Sequence, residues 1–238
     1  MPIQKWQENP LLMLNRYLSG IGRMEEGGPV SDFLVNLFVQ GEDQEAVAEA
    51  IKPILRPAYT RANTKEPANE EEITLYVAPP IRGWIGVFDL LMEGQDEALC
   101  EWTVRHLSRS ISSVAISFLL HDGDFMRYWL ARDGRLLDRF HSWPDYFGPV
   151  ASADAKSLQG RPWVLADLCG KPLAALEITR LLRDPGGFGR ELLDEMYGLL
   201  GIPNLLSGFN SVGQDAEQGY IEGWEGFRAI RLRELLGA

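Results

Sequence analysis

The sequence predicts an α+β fold: a ferredoxin-like βαββαβ core, extended by an antiparallel β-meander and followed by a mainly helical C-terminal segment. Three observations carry that expectation. Strand-like and helix-like runs alternate between residues 32 and 120, two Asp-Gly pairs separate the strand-like runs that come next, and the apolar spacing beyond residue 150 has a helical period. The chain divides accordingly into an N-terminal arm over 1–30, an α/β sandwich over 31–150 and a mainly helical subdomain over 151–238 packed on the sheet.

The arm holds a short helical stretch over 10–19 and a Gly-rich run whose Gly27, Gly28 and Pro29 punctuate the chain before the first strand. That strand is read over 32–38. A helix over 43–55 follows, with Ala46, Val47, Ala50, Ile51, Ile54 and Leu55 on one side, and the polar loop ANTKEPANEEE leads to a strand over 73–78. The pattern then repeats as strand 84–91, helix 95–111 and strand 113–120. In the second helix two stripes compete for the buried face, one through Ala98, Trp102, Arg105, His106 and Arg109, the other through Leu99, Thr103, His106 and Leu107. The junctions QGEDQEA at 40–46 and EGQDEA at 93–98 are alike, as an internal duplication would make them, although acidic helix starts also suit the positive end of the helix dipole. The order βαββαβ places two helices over one face of an antiparallel sheet.

HDGD at 121–124 and RDGR at 132–135 supply the positive-φ residues that two-residue hairpin turns require, so a meander is expected over 114–120, 125–132 and 135–141. With both turns tight, Ser117, Tyr128 and Arg139 form one cross-strand row, with Leu119, Met126 and His141 beside it. Val114, Ile116, Phe118, Leu120, Phe125, Trp129, Leu136 and Phe140 then share the opposite, more apolar face. Arg127 and Asp138, diagonal across the second hairpin, are expected to form a salt bridge at the edge of that core.

Beyond SWPDYFGP the chain turns helical, over 161–169, 171–183 and 188–200. Pro172 suits a first turn, Arg180 and Arg183 a last turn, and Asp184-Pro185-Gly186-Gly187 a stop. GIPNLLSGFNS reads as a compact turn or short helix, YIEGWEGFRAI as a strand-like return or packed tail, and 231–236 as a short terminal helix.

Twenty-three Lys and Arg against 34 Asp and Glu give a net charge of -11, which repels phosphate backbones, so no nucleic-acid partner is expected. MPIQKWQENP lacks the basic-then-apolar order of a signal peptide, and no window reaches 18 uncharged apolar residues, so no membrane partner is expected either. Cys100 and Cys169 fall in apolar helical patterns, as buried thiols do, and the cytoplasm is the expected location. Homodimerisation through a sheet edge or an open face is compatible with the charge, which favours solubility without forbidding a specific interface.

The motifs of known chemistries are incomplete. His106, His121 and His141 do not have HExxH spacing, and His121, Asp122 and Asp124, which resemble a cation site, are already explained by hairpin geometry. Ser117 and Ser142 lie outside any GxSxG elbow. GIGRMEEGG and GGFGR lack the strand context and the lysine of phosphate-binding loops, so no cofactor is expected. Asp89, Asp122, Asp138 and Asp145 would have to converge through folding to work as an acid and a base.

The strongest candidate site lies on the less apolar sheet face. There Tyr128 and Arg139 would hold an anionic or aromatic ligand, with His141, Trp143, Asp145 and Tyr146 as its rim. Against it stands simple coverage of Leu119, Met126, Leu130 and Leu137 by the C-terminal helices, with Tyr128 hydrogen-bonded at the seam and Arg139 satisfied by a carboxylate. Two function classes follow. The leading one is a non-catalytic binding or protein-interaction module, taking a protein partner or a small anionic ligand. The alternative is a hydrolase or other small-molecule enzyme using Tyr128, Arg139, His141 and Asp145.

Overall fold

A strand apolar on only one side can leave its other face in water; β1 (Leu34–Gln40) is buried at every position but its last, so its sheet must be covered on both faces. The computed structural model describes residues 33–65, 69–184, 189–203, 207–221 and 223–237, and the 1–30 arm with its 10–19 helix lies outside them. The fold is α+β, a seven-stranded sheet between two helical layers. The strands are β1, β2 (Ile73–Val77), β3 (Trp84–Asp89), β4 (Val114–His121), β5 (Phe125–Arg132), β6 (Arg135–His141) and β7 (Arg228–Arg231), in the order β6-β5-β4-β1-β3-β2-β7. Every neighbouring pair is antiparallel.

On the first face, α1 (Gln44–Lys65) and α2 (Glu97–Ile111) bury Ile51, Leu55, Val104 and Leu107 against Val35, Leu37, Val87 and Ala115. The acidic junctions that look like a repeat are helix caps: the Asp43 carboxylate accepts from the amide of Ala46 at 2.9 Å, and that of Asp96 accepts from Ala98 and Leu99 at 2.9 and 3.1 Å. α1 runs ten residues beyond the expected end, through Pro53 and Pro57. Both prolines are exposed, so the carbonyls they leave without a helical donor can take water, while Ile51, Leu55 and Tyr59 stay buried at four-residue intervals. The buried face of α2 is Cys100, Thr103, Val104, Leu107 and Ser108; His106 stacks on Trp102 at the exposed side.

The second face is covered by α4 (Pro162–Leu168), α5 (Ala175–Arg183), α6 (Gly189–Leu200) and α7 (Val212–Glu217), which follow the short α3 (Ser152–Ser157). Leu165, Ile178, Leu193 and Met196 pack there on Phe38, Phe118 and Tyr128. Gly189 lets α6 touch the sheet, since a Cβ would meet the Phe125 backbone at 2.5 Å. β7 and α8 (Leu232–Leu236) close the far edge, with β7 pairing on β2 as the strand-like return.

The meander forms over nearly the expected residues, but in a different register. Asp133 and Gly134 make the tight turn, with φ of 52° and 79°, and Arg132 faces Arg135. The first turn keeps Asp122 and Gly123 at positive φ but includes Asp124 as well, so His121 faces Phe125. That extra residue pairs Ser117 with Trp129 and Phe118 with Tyr128. A bulge at Leu137 shifts the second pair too, setting Tyr128 opposite Phe140 and Trp129 opposite Arg139. The row of Ser117, Tyr128 and Arg139 is therefore corrected, and Phe125 and Trp129 belong to the first face. Arg127 and Asp138 do not pair: Arg127 meets Glu97, and Asp138 meets Arg161.

Candidate functional site

β6 is the outer strand of the sheet, and part of its free edge is strapped by the chain between α3 and α4. Gly160 N donates to the Arg139 carbonyl at 3.1 Å, and His141 N donates to the Leu158 carbonyl at 2.9 Å. Gly160 has φ +68°, and a Cβ there would meet Tyr128 Oη at 2.7 Å and Leu182 Cδ1 at 2.8 Å, so only glycine fits. From α5, the Arg183 guanidinium donates to the carbonyls of Gln159 and Gly160 at 2.5 and 3.2 Å.

Asp138 ties this strap to the core. Its carboxylate accepts from Tyr128 Oη at 2.8 Å, from the Arg161 amide at 2.8 Å and from its neighbour Arg139's amide at 2.9 Å. Burial raises its pKa above the ordinary carboxylate range, and these donors hold part of that rise back. Arg161 Nε lies 3.7 Å away.

Between β6 and the strap opens a depression of ≈ 490 Å³. Leu136, Leu137, Asp138 and Arg139 line it from the strand, Lys156 and Ser157 from the end of α3, and Gly160 and Arg161 from the strap. Arg139 is held by its Nη2, which donates to Ser157 Oγ at 2.8 Å. Leu137 also borders a second, apolar groove of ≈ 480 Å³, completed by Trp163, Val164, Leu168 and Pro172 with Asp167 at its margin. Trp163 is 61% exposed, Leu173 98% and Leu176 72%, so the outer surface from α4 to α5 presents large apolar side chains to solvent.

The residues expected to form one site are divided by the register. Tyr128 is fully buried on the second face, bonded to Asp138, while Arg139 and His141 are on the other face, opposite Trp129 and Arg127. His141 is buried and packs on Phe125 at 4.6 Å; its Nδ1 accepts from the Trp143 amide at 3.1 Å, so that nitrogen carries no proton. Burial, with Arg127 nearby, pushes its pKa down to about 3, which keeps the ring neutral. Trp143 meets Tyr146 edge-on at 5.1 Å, and Tyr146 Oη donates to Asp124 at 2.8 Å. His141, Trp143 and Tyr146 thus gather with His121, Phe125 and Phe147 in an aromatic cluster, and Asp145 is exposed in the same loop.

Asp89 and Asp138 do not converge. Asp89 lies on the first face, where its carboxylate accepts from Tyr59 Oη and the Met92 amide, each at 2.8 Å. Burial lifts its pKa to about 6. Cys100 and Cys169 are free and buried, and burial raises both thiols, which removes them as ready nucleophiles. Among the described residues no group of three His, Cys, Asp or Glu could hold a metal ion, and no helix is long and apolar enough to cross a membrane.

Lys156, Ser157 and Arg161 are absent from the sequence-derived site because nothing local links them to residue 139. The exposed apolar surface did leave a signal: PWVL at 162–165 and PLAAL at 172–176 carry more consecutive apolar residues than a single buried stripe needs. Compared with family models, curated proteins and solved structures, the chain matches none.

Proposed function

We propose that the protein is a non-catalytic interaction module whose α4–α5 surface receives a protein partner. The observation that carries this reading is the exposure of Trp163, Leu173 and Leu176 on the outer surface from α4 to α5, together with an apolar groove lined by Leu137, Trp163, Val164, Leu168 and Pro172. Apolar side chains gathered in this way on a surface mark interfaces more often than chance, and tryptophan is favoured as an anchor. The net charge of -11 fits a partner with a basic surface, drawn in by long-range attraction, and weighs against nucleic acid. The same reading treats the order β4-β1-β3-β2, with α1 and α2 on one face, as a ferredoxin-like unit that serves as a scaffold; the supporting observation is the strand order itself. Two buried free thiols support a reducing compartment such as the cytoplasm.

The test is capture of partners from the native cell extract by the full chain and by L173E/L176E, whose altered positions are exposed. A basic protein retained by the wild type, released by added salt and lost with L173E/L176E supports the reading. Equal capture by both forms sinks the surface, and analytical ultracentrifugation showing a dimer that L173E/L176E dissociates would replace the foreign partner with a second copy of the chain.

A further inference from the structure

We propose that the depression between β6 and the α3–α4 strap binds an oxyanion, a phosphate or carboxylate carried on a small apolar body. The inference deepens the binding-module reading, with a second ligand class at a neighbouring place. Its first support is charge. Arg139, Lys156 and Arg161 line the depression with one carboxylate, Asp138, in a chain whose net charge is -11. Lys52, Arg105, Arg127, Arg180, Arg228 and Arg233 each sit against a glutamate, while among the described residues Arg109, Arg135 and Lys171 do not, so what sets this place apart is that three cations line one depression. Among the described residues, Arg139 and Lys156 have no such ion pair: Arg139 contacts the neutral Ser157 hydroxyl.

The carboxylate in the wall offsets only one of the three cations, Arg161. Three donors from Tyr128, Arg139 and Arg161 already occupy it, and among the described residues Arg161 is its one ion-pair partner, at 3.7 Å. Arg161 is itself 62% exposed at the side chain, leaving most of its guanidinium edge for a ligand.

Shape is the second support. Two strap-to-strand backbone bonds, the Arg183 bonds and the glycine at 160 fix the strap that carries Arg161 and follows directly on Lys156 at the end of α3, so the backbone beneath both cations is set before a ligand binds. Guanidinium groups match the planar or tetrahedral oxygens of carboxylate and phosphate, and Leu136 and Leu137 offer an apolar wall for the remainder of the ligand.

The test titrates the ¹⁵N-labelled full chain with phenyl phosphate, benzoate and inorganic phosphate at constant ionic strength. Saturable binding is expected for phenyl phosphate or benzoate, with the largest amide shifts at residues 156–161, and affinity should fall about tenfold or more in K156Q/R161Q. Which of the two aryl probes binds more tightly assigns the oxyanion, and inorganic phosphate binding as well as phenyl phosphate would show that the apolar wall contributes nothing. R180Q, on the distant α5 surface, should leave the affinity unchanged. Absence of saturation by every probe up to about 10 mM overturns the proposal, as does equal affinity in wild type and K156Q/R161Q. If the double variant misfolds, K156Q alone changes only one exposed side chain and carries the same test. L173E/L176E should still bind the probe, so the two readings fail separately.

Discussion

Two tyrosine–aspartate pairs stand on opposite faces of one sheet, and their hydrogen bonds have the same length, 2.8 Å for Tyr59–Asp89 and 2.8 Å for Tyr128–Asp138. Their surroundings differ. Asp89 is sealed beneath α1 and takes the amide of Met92, three residues on, so it stabilises the turn that leaves β3. Asp138 takes the amide of Arg161, 23 residues on, and stands in the wall of a depression. The same chemical pair closes a layer in one place and holds a distant strap in the other. What decides its use is whether the next acceptor-seeking amide is local or remote.

The largest expected effect tests that contrast. Asp89→Ala leaves the buried Met92 amide without its acceptor and the Tyr59 hydroxyl with the Thr74 carbonyl alone, in a closed layer, and should cost roughly 3 kcal/mol in urea unfolding. Gly160→Ala forces a side chain into Tyr128 and Leu182 at positive φ and should cost roughly 2 kcal/mol, with loss of amide protection confined at first to the strap. Asp138→Ala frees the buried Tyr128 hydroxyl and two amides, but Asp138 stands beside an open depression from which water can replace the carboxylate, so it should cost less, about 1.5 kcal/mol. If Asp138→Ala proves more destabilising than Asp89→Ala, the contrast between sealed and open pairs is wrong.

Smaller effects appear in pH dependence, with opposite signs. The Asp89 carboxyl, raised from 3.8 to about 6, binds protons more readily in the folded chain, so its contribution to stability is complete below 3.8 and is lost as pH rises to about 6. Asp89→Asn should therefore compare more favourably with wild type at pH 7 than at pH 4. His141 behaves in reverse: lowered from 6.5 to about 3, it favours the folded state above 6.5, and that advantage disappears as pH falls. His141→Asn keeps an acceptor for the Trp143 amide but cannot titrate, so its stability deficit against wild type should shrink from pH 7 to pH 4. Unfolding midpoints measured at both pH values check each trend, and trends of the same sign would remove either assignment.

Element order was legible because alternation and capping are local. The Asp43 and Asp96 caps, the Asp133-Gly134 turn and the spacing of α6 can all be read within a few residues. The candidate site was not, because it depended on register, which one residue reverses. Asp124 added to the first turn and a bulge at Leu137 move Tyr128 to the face opposite Arg139, and neither leaves a distinct mark in the sequence. The end of α1 was also missed: expected at Leu55, the helix runs on through Pro57 to Lys65, where Leu55 and Tyr59 pack on the sheet. The Tyr128–Asp138 bond was half visible, in that a buried tyrosine needs a partner, but which residue supplies it follows only from the corrected pairing.

β7 pairs with β2 across more than 150 residues of intervening chain, and Leu232 N then donates to the carbonyl of Glu72 at 2.9 Å. During synthesis from the N-terminus, β1 through β6 emerge well before β7, at ribosomal rates of roughly 5–20 residues per second. For several seconds the outer edge of β2 therefore waits without its neighbour, an unpaired strand edge open to the wrong partner until β7 arrives.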